Sequence, residues 1–454
     1  MSRHVSALVV GGGISGLVCA CALRKAGIEV LLAEASERTG GVIQTVQGEG
    51  FLLELGPQSF SATGQVRNLC AELGIADQLL EAPPRAPRFI LIEGKLRPVP
   101  MNPVALFLSP LLDGSTKWAL MRDIFGRSVP PEGDESVAAF IRRKFSGQLL
   151  DHFVGPFVSG VYAGDPEKLS LRSAFPKLHK AEEIAGSVLR GMMRLAQAKK
   201  GPRERQTLNT FHDGNETLVR ALANRLGPAV LPRMRATGMY RQNDGLFHVS
   251  LEGAGGNDSV SARSVILATP TETTGNLLGQ LDASFAPLLN SVEYAAVAAV
   301  SLGYAQKDVG HSLEGFGFLV PRSAGLRILG TVWNSSLFPG RAPEGHVLLT
   351  TFVGGATDPA AAKLSGEELA SLVHGEIAPL LSIKNAPAFC SVTIWPRALP
   401  QYNLGHSERM ASLKKNLARF PGVFLAGNWL RGPAIGACAE QALAVAEEVQ
   451  AQAR

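Results

Sequence analysis

Near the start of the chain, Gly11-Gly12-Gly13-Ile14-Ser15-Gly16 follows the apolar run Ala7-Leu8-Val9-Val10 and precedes a stretch of helical character to about residue 26. A continuous apolar run of this kind predicts a parallel strand buried on both faces. Gly27 then breaks the helix, and residues 29–33 read as a second strand that ends on Glu34. In such a strand–turn–helix–strand unit the first glycine permits the turn and the second lets backbone approach a pyrophosphate. The third packs helix against strand, and the phosphates meet the helix N-terminus. Glu34 stands 18 residues beyond Gly16, where a carboxylate can accept hydrogen bonds from ribose hydroxyls. An ordinary glycine turn would not need strand, helix and acid in register, so the pattern predicts a dinucleotide site.

The residues after Glu34 narrow the choice of dinucleotide. Ala35, Arg38, Gly40 and Gly41 continue directly from the acid, and a diglycine with an arginine there extends the phosphate cradle. That arrangement resembles FAD enzymes rather than NAD dehydrogenases. At the far end, Gly427-Asn428 and Ala434-Ile435-Gly436 repeat a strand, glycine turn and helix. They read as a second contact, with a helix N-terminus directed at the flavin.

With 454 residues, 46% hydrophobic and 18% charged, the chain can bury more than one core and is not disordered. Lys+Arg number 44 against 39 Asp+Glu, a net charge of +5, too modest for a nucleic-acid coat. The surplus is local: residues 85–205 hold 20 basic and 12 acidic residues, and that stretch alone exceeds the total. Five cysteines (Cys19, Cys21, Cys70, Cys390, Cys438) contain no CxxC pair. They predict buried thiols in a reducing compartment and no structural zinc site. No metal is expected. No leader is expected ahead of the first strand, and no apolar run reaches the ~18 residues that span a bilayer. Residues 136–143 and 181–200 read as amphipathic helices, the second with Ile184, Val188, Met192 and Leu195 on one side and Arg190, Arg194, Lys199 and Lys200 as cations. Strands are expected at 247–251, 264–268 and 423–426, with a strand-rich block over about 292–353. Glu182-Glu183 reads as a solvated helix face, and His406 as structural rather than a ligand or base.

Several segments carry a resemblance. Gly56-Pro57-Gln58-Ser59-Phe60, Gly94-Lys95-Leu96-Arg97-Pro98-Val99-Pro100 and Phe338-Pro339-Gly340-Arg341-Ala342-Pro343 are joined by two more specific ones. These are Gly160-Val161-Tyr162-Ala163-Gly164-Asp165-Pro166 and Pro400-Gln401-Tyr402-Asn403-Leu404-Gly405-His406. Together they resemble the protoporphyrinogen oxidases, oxygen-dependent FAD enzymes of haem and chlorophyll biosynthesis within the flavin amine oxidase superfamily. The resemblance runs from about residue 5 to 450.

The implied fold is α/β: a Rossmann-like FAD-binding domain of the p-hydroxybenzoate hydroxylase type, a mixed-sheet substrate domain and a helical membrane-binding domain. The expected division is 1–84, 206–270 and 391–454 for FAD, 85–205 for the helical membrane domain and 271–390 for substrate. The resemblance places non-covalent FAD against Gly11, Gly12, Gly13, Ile14, Ser15, Gly16, Glu34, Ala35, Arg38, Gly40 and Gly41. It adds Gly56, Pro57, Gln58, Ser59, Ala236, Trp395, Gly427, Asn428, Ala434, Ile435 and Gly436. Arg88 matches an arginine that holds a substrate propionate, though it also reads as an exposed arginine before a strand. Leu319, Val332 and Phe352 match positions lining the ring cavity, and Gly160 one near the flavin face; each reads equally as core. Val332 is smaller than the leucine of some relatives.

The chemistry so implied is flavin-centred, with no catalytic side chain assigned. Hydride passes from a meso carbon to flavin N5 with loss of an N–H proton, and oxygen leaves as hydrogen peroxide. Three such cycles convert protoporphyrinogen IX to protoporphyrin IX. Partners are then the porphyrinogen, molecular oxygen and a membrane surface, with no nucleic acid; a homodimer is compatible. The location expected is cytoplasmic, on the membrane periphery. Coproporphyrinogen III oxidation, amine oxidation and an inactive flavin-binding scaffold are the alternatives. The strand expected to carry an amine oxidase lysine, within 292–304, contains none.

Overall fold

A computed structural model describes residues 3–100, 102–198, 207–254 and 256–453. The first of two seven-stranded sheets runs Val230–Leu231, Val30–Ala33, Arg3–Val10, Gly256–Leu267, Phe247–Gly253, Met234–Arg241, with Val423–Leu425 also on Gly256–Leu267. Arg3–Val10 is parallel to both of its neighbours. Because alternate residues of a strand face opposite ways, Ala7 and Val9 enter one core while Leu8 and Val10 enter another. Helices Ile14–Lys25, Glu216–Leu226 and Ile435–Ala453 pack the first core. Thr271–Gly279, Phe285–Asn290 and His406–Leu417 contribute Leu277, Phe285 and Leu413 to the second. Each of these fully buried side chains is worth about 1.5–3 kcal/mol.

The second sheet runs Phe389–Pro400, Tyr294–Ala305, His346–Gly354, Ile328–Trp333, Gly317–Leu319, Arg88–Ile92, Lys95–Pro98. It is mixed: Gly317–Leu319 and Arg88–Ile92 are parallel, and the other pairs antiparallel. One face packs on helix Gly366–Leu381 through Val300, Leu302, Phe318, Trp333, Leu349 and Val353. The sheet draws residues 88–98 from the stretch expected to be mainly helical. Glu93 and Gly94 both carry positive φ, which closes a tight hairpin there. Phe389–Pro400 likewise crosses the expected division at 390/391, and helices 271–290 belong to the first sheet's core rather than to the second sheet.

Helices dominate residues 102–198. Asn102, Asp113 and Ser136 accept hydrogen bonds from the backbone three residues on, which satisfies exposed helix donors. The single helix expected over 181–200 is instead two, Pro176–Ala185 and Val188–Ala198. Gly186, at φ +61°, ends the first. Asp123 caps the second, accepting from Leu189 N (3.0 Å) and Ser187 Oγ (3.0 Å). Arg190 and Arg194 donate to backbone carbonyls of Ile124, Gly126, Ala185 and Ile184; Lys199 and Lys200 lie outside the described residues. Glu182 corrects a second expectation. It is buried rather than solvated, and its carboxylate accepts from Arg143 (2.8 Å) and Ser128 (2.6 Å) with Lys144 at 3.4 Å. These donors hold its pKa down to about 2 against the opposing effect of burial. Glu183 alone is exposed, paired with Lys180. Cys390, on an edge strand, is exposed, unlike Cys19, Cys70 and Cys438.

Candidate functional site

The first strand delivers Gly11 at φ +105°, where a β-carbon would fall 2.5 Å from the Ala268 carbonyl oxygen. A β-carbon on Gly16 would fall 1.9 Å from Gly11 O, so the helix can approach the strand only without one. Gly13 has open space where its β-carbon would stand, and Gly41 would place one 3.6 Å from the Gly13 Cα. Gly40 N donates to Gly12 O at 2.7 Å, and Gly13 and Gly40 form a bridge. Two runs of glycine backbone thus lie together and leave a cleft free of side chains. Arg38 fixes the second run by donating to Thr39 O, Ile43 O and Gly41 O. Ile14 and Ser15 open helix Ile14–Lys25, which packs along helix Ile435–Ala453 with Ser15 near the Cys438 thiol, so the two N-terminal turns stand side by side. Two helix N-termini on one cleft favour an anion.

Glu34 reaches back to Gly12 N (2.6 Å) and also accepts from Ser36 N (2.7 Å), standing at the cleft's edge beside exposed Ala35. Met234 N donates to Glu34 O, which sets Ala236 two residues further along that neighbouring strand. On the opposite side, Gly436 is crowded by Ser61 O, and Gly427 N donates to Gln441 Oε1. The segment Gly56, Pro57, Gln58, Ser59 leaves the hairpin Thr45–Gly48/Phe51–Glu54 and is held from the second sheet and from the N-cap of helix Glu216–Leu226. Trp395 Nε1 donates to Leu55 O at 2.7 Å, and Asn215 Nδ2 to Pro57 O at 2.7 Å.

The second sheet's free face collects the residues expected to bind substrate. Arg88 stands opposite Gly317, and Gly317 opposite Val332; one pleat on, Leu319 stands opposite Gly330, and Gly330 opposite Phe352. All four side chains therefore share the face away from helix Gly366–Leu381. Leu319, Val332 and Phe352 lie on interior strands yet stay half-buried. Gly160, on helix Gly155–Tyr162, meets this face: its β-carbon would fall 2.5 Å from Leu319 Cδ2. Arg88 is exposed, with its guanidinium 5.4 Å from the Phe316 ring centroid.

A family model described as flavin containing amine oxidoreductase matches residues 14–450. The chain belongs to that family. The flavoenzyme is 35% identical over 473 residues to the chloroplastic protoporphyrinogen oxidase of Nicotiana tabacum, covering 99% of this chain and 86% of that protein. It is 29% identical to the coproporphyrinogen III oxidase of Bacillus subtilis, covering 98% and 97%. A solved structure of a candidate protoporphyrinogen oxidase from Exiguobacterium sp. 255-15 superposes with a TM-score of 0.82 at 25% identity, covering 100% and 99%. The flavoenzyme is an oxidoreductase with FAD as cofactor. The side-chain-free cleft, the paired helix N-termini and the single carboxylate at its edge fit FAD's pyrophosphate and ribose.

Some of the site was not read from residue types. Arg341 lay in a segment quoted for the resemblance but carried no assigned role. It is 3% exposed and donates to Thr210 Oγ1 and Phe211 O at 2.9 Å, tying the second sheet to the cofactor side. Glu54 is buried beside it, accepting from Asn215 N (2.8 Å) and Thr45 Oγ1 (2.9 Å); burial pushes its carboxyl up to about 7. The two most specific segments also dock on one another. Gln401 Nε2 donates to Tyr162 O at 2.9 Å, Ser170 N to Tyr402 O at 2.8 Å, and the two tyrosine rings lie 6.0 Å apart. Tyr402 OH then donates to Asn428 O, beside the flavin turn. His406 is buried and stacked on Tyr402 at 4.7 Å.

Proposed function

We propose that the flavoenzyme oxidises protoporphyrinogen IX to protoporphyrin IX in porphyrin and haem biosynthesis, consuming three oxygen molecules and releasing three hydrogen peroxide molecules per porphyrin. The observation that carries this reading is the composition of one sheet face. A cation at Arg88 borders an apolar surface of Leu319, Val332 and Phe352, flattened by Gly317, Gly330 and Gly160. A broad apolar macrocycle with carboxylate arms needs that combination, and an arginine pairs a carboxylate through two parallel donors. Bound FAD supplies the two-electron acceptor. Arg88 holds a propionate, and the leucine, valine and phenylalanine exclude water from the ring. The docked segments set helix Gly155–Tyr162 against the Asn428 turn, so the ring and the cofactor keep one distance. The name carried by the tobacco relative supports this substrate.

The test compares initial rates of the purified holoenzyme on protoporphyrinogen IX and coproporphyrinogen III, followed by porphyrin fluorescence, with peroxide measured alongside. Faster turnover of the two-carboxylate substrate with a 3:1 peroxide ratio, about three per porphyrin by the six-electron balance, is expected. Preference for the four-carboxylate substrate overturns the choice, and peroxide from amines alone overturns the reading.

We also infer a peripheral seat on an anionic membrane, reached from the cytoplasm. Among the described residues no helix is long and apolar enough to cross a membrane. Leu108, Trp118, Phe125 and Val129 are 72%, 71%, 76% and 86% exposed. Lys117, Arg122 and Arg127 stand among them and make no ion pair with any described residue. Aromatic rings at the acyl boundary with cations at headgroup level match an interfacial surface. It centres on helix Gly114–Phe125 rather than on residues 181–200. Cosedimentation with phosphatidylglycerol vesicles, lost in Trp118→Ser/Phe125→Ser, is expected; equal binding to neutral vesicles by wild type and variant would sink it.

A further inference from the structure

Asn334 directly follows Trp333, the last residue of the strand that carries Val332. Trp333 points into the core on helix Gly366–Leu381, and Asn334 reaches the other way, to the cofactor-side segment. Its Nδ2 donates to Gln58 Oε1 at 2.6 Å. Asn334 is only 5% exposed, and its Oδ1 is buried with no hydrogen-bond partner among the described residues.

The orientation of that amide is fixed by its neighbours rather than arbitrary. Gln58 Nε2 donates to two carbonyls, Glu54 O (2.8 Å) and Gly56 O (3.0 Å). Gln58 Oε1 must therefore accept, so the group Asn334 presents to it must be the amino end. The amide oxygen is left as an open acceptor. An acceptor buried without a donor is costly, and native chains retain one chiefly where something else fills it. A neutral amide oxygen does not remove protons; it orients a donor.

We propose that Asn334 Oδ1 accepts a hydrogen bond from a pyrrole N–H of the bound tetrapyrrole, and so sets which part of the macrocycle lies against the cofactor. The assignment rests on the porphyrinogen reading above. Asn334 stands at the seam between Val332, on the substrate face, and Gln58, on the cofactor segment. A porphyrinogen presents four inner N–H donors and no other donors on its ring. Arg88 fixes the ring's rim through a carboxylate, and Asn334 adds a second point nearer the ring centre. Two points define the rotation of a macrocycle in its plane; one does not.

The experiment measures three quantities on the holoenzyme: KM for protoporphyrinogen IX, the dissociation constant of protoporphyrin IX by fluorescence titration, and that of FAD on the stripped protein. The variants are Asn334→Leu and Asn334→Ser. Asn334→Leu is expected to raise KM and weaken porphyrin binding by about tenfold or more, the scale of one hydrogen bond to a buried group. FAD affinity should hold, and Asn334→Ser, whose hydroxyl can still accept, should recover part of the loss. An unchanged KM in Asn334→Leu overturns the proposal. So does an FAD affinity that falls by the same factor while KM holds, which would give the oxygen to an N–H of the cofactor. Should Asn334→Leu fail to fold, Asn334→Ala, which also removes the acceptor, carries the same comparison against Asn334→Ser. A wild type that oxidises no porphyrinogen refutes the functional reading itself; a wild type that does so beside an unaffected Asn334→Leu refutes only this assignment.

Discussion

Leu319 occupies the space that a side chain at Gly160 would need, its Cδ2 lying 2.5 Å from where a β-carbon would stand. The two residues come from different elements, a strand of the second sheet and a helix that crosses its face. Gly160→Ala should fold, because alanine is favoured over glycine in a helix by about 1 kcal/mol. It must push the leucine tip into the ring cavity. KM for the porphyrinogen should rise several-fold with the flavin absorbance unchanged, and Leu319→Ala in the same chain should restore it. A double variant no better than Gly160→Ala would show that the contact does not bound the cavity.

Removal of the cation at Arg88 should act on affinity rather than on the cofactor. A charge-assisted hydrogen bond is worth about 1.5–3 kcal/mol, so Arg88→Ala should raise KM by roughly 10–100-fold. Arg88→Lys should recover only part, because it cannot reproduce the two-donor geometry. Steady-state kinetics on the dicarboxylate substrate and on its dimethyl ester separate charge from packing: the ester should not distinguish Arg88→Ala from wild type.

Two glycines of one motif should fail in different ways. A β-carbon on Gly16 collides with Gly11 O at 1.9 Å, whereas one on Gly13 meets nothing within 4 Å. Gly16→Ala should therefore lower the melting temperature of the FAD-free protein. Gly13→Ala should leave that temperature unchanged and weaken FAD, since its methyl enters the cleft where backbone must approach the pyrophosphate. Calorimetry of the stripped protein and an FAD titration read the two effects apart; identical behaviour of both variants would contradict the cleft described above.

Burial, reinforced by nearby Arg409, pushes the His406 imidazole down to about 4. The folded chain keeps the ring neutral while the unfolded chain protonates it near 6.5. Stability from this residue is present above about pH 6.5 and is lost as pH falls toward 4. Glu54, pushed up to about 7, titrates with the opposite sign in the same window, so the informative quantity is a difference between proteins. His406→Phe retains the stack on Tyr402 and should be less sensitive to acid. Between pH 6.5 and 5 the wild type should lose up to about 2 kcal/mol relative to it. Urea midpoints at the two pH values test this, and parallel curves would refute it.

The cofactor cleft was legible because its residues are contiguous and their spacing is dictated by backbone geometry. Gly11, Gly13, Gly16 and Glu34 can be read in one pass, and they meet as that spacing requires. The face proposed for substrate rests on resemblance. Arg88, Leu319, Val332 and Phe352 are scattered over 265 residues, and strand register alone brings them to one face. No local pattern announces which glycine faces which leucine. Glu182 was misread because charge in an amphipathic stretch usually marks solvent, and Arg143, Lys144 and Ser128, which bury it, arrive from other elements. Asn334 and Arg341 were invisible for the same reason: their role lies in partners more than a hundred positions away.

The parallel pairing at the heart of the first sheet also governs when the protein can become an enzyme during its own synthesis. Arg3–Val10 is made well before Gly256, where one of its two partners begins, and Val423–Leu425 pairs only with that later strand. At about 5–20 residues per second, the first strand waits tens of seconds with an open, apolar edge. The second helix N-terminus of the flavin cleft, Ile435, comes later still. FAD therefore has no complete cleft until the chain has been made through Ile435. Slow, long-range parallel closure exposes such a chain to aggregation until that cleft can form.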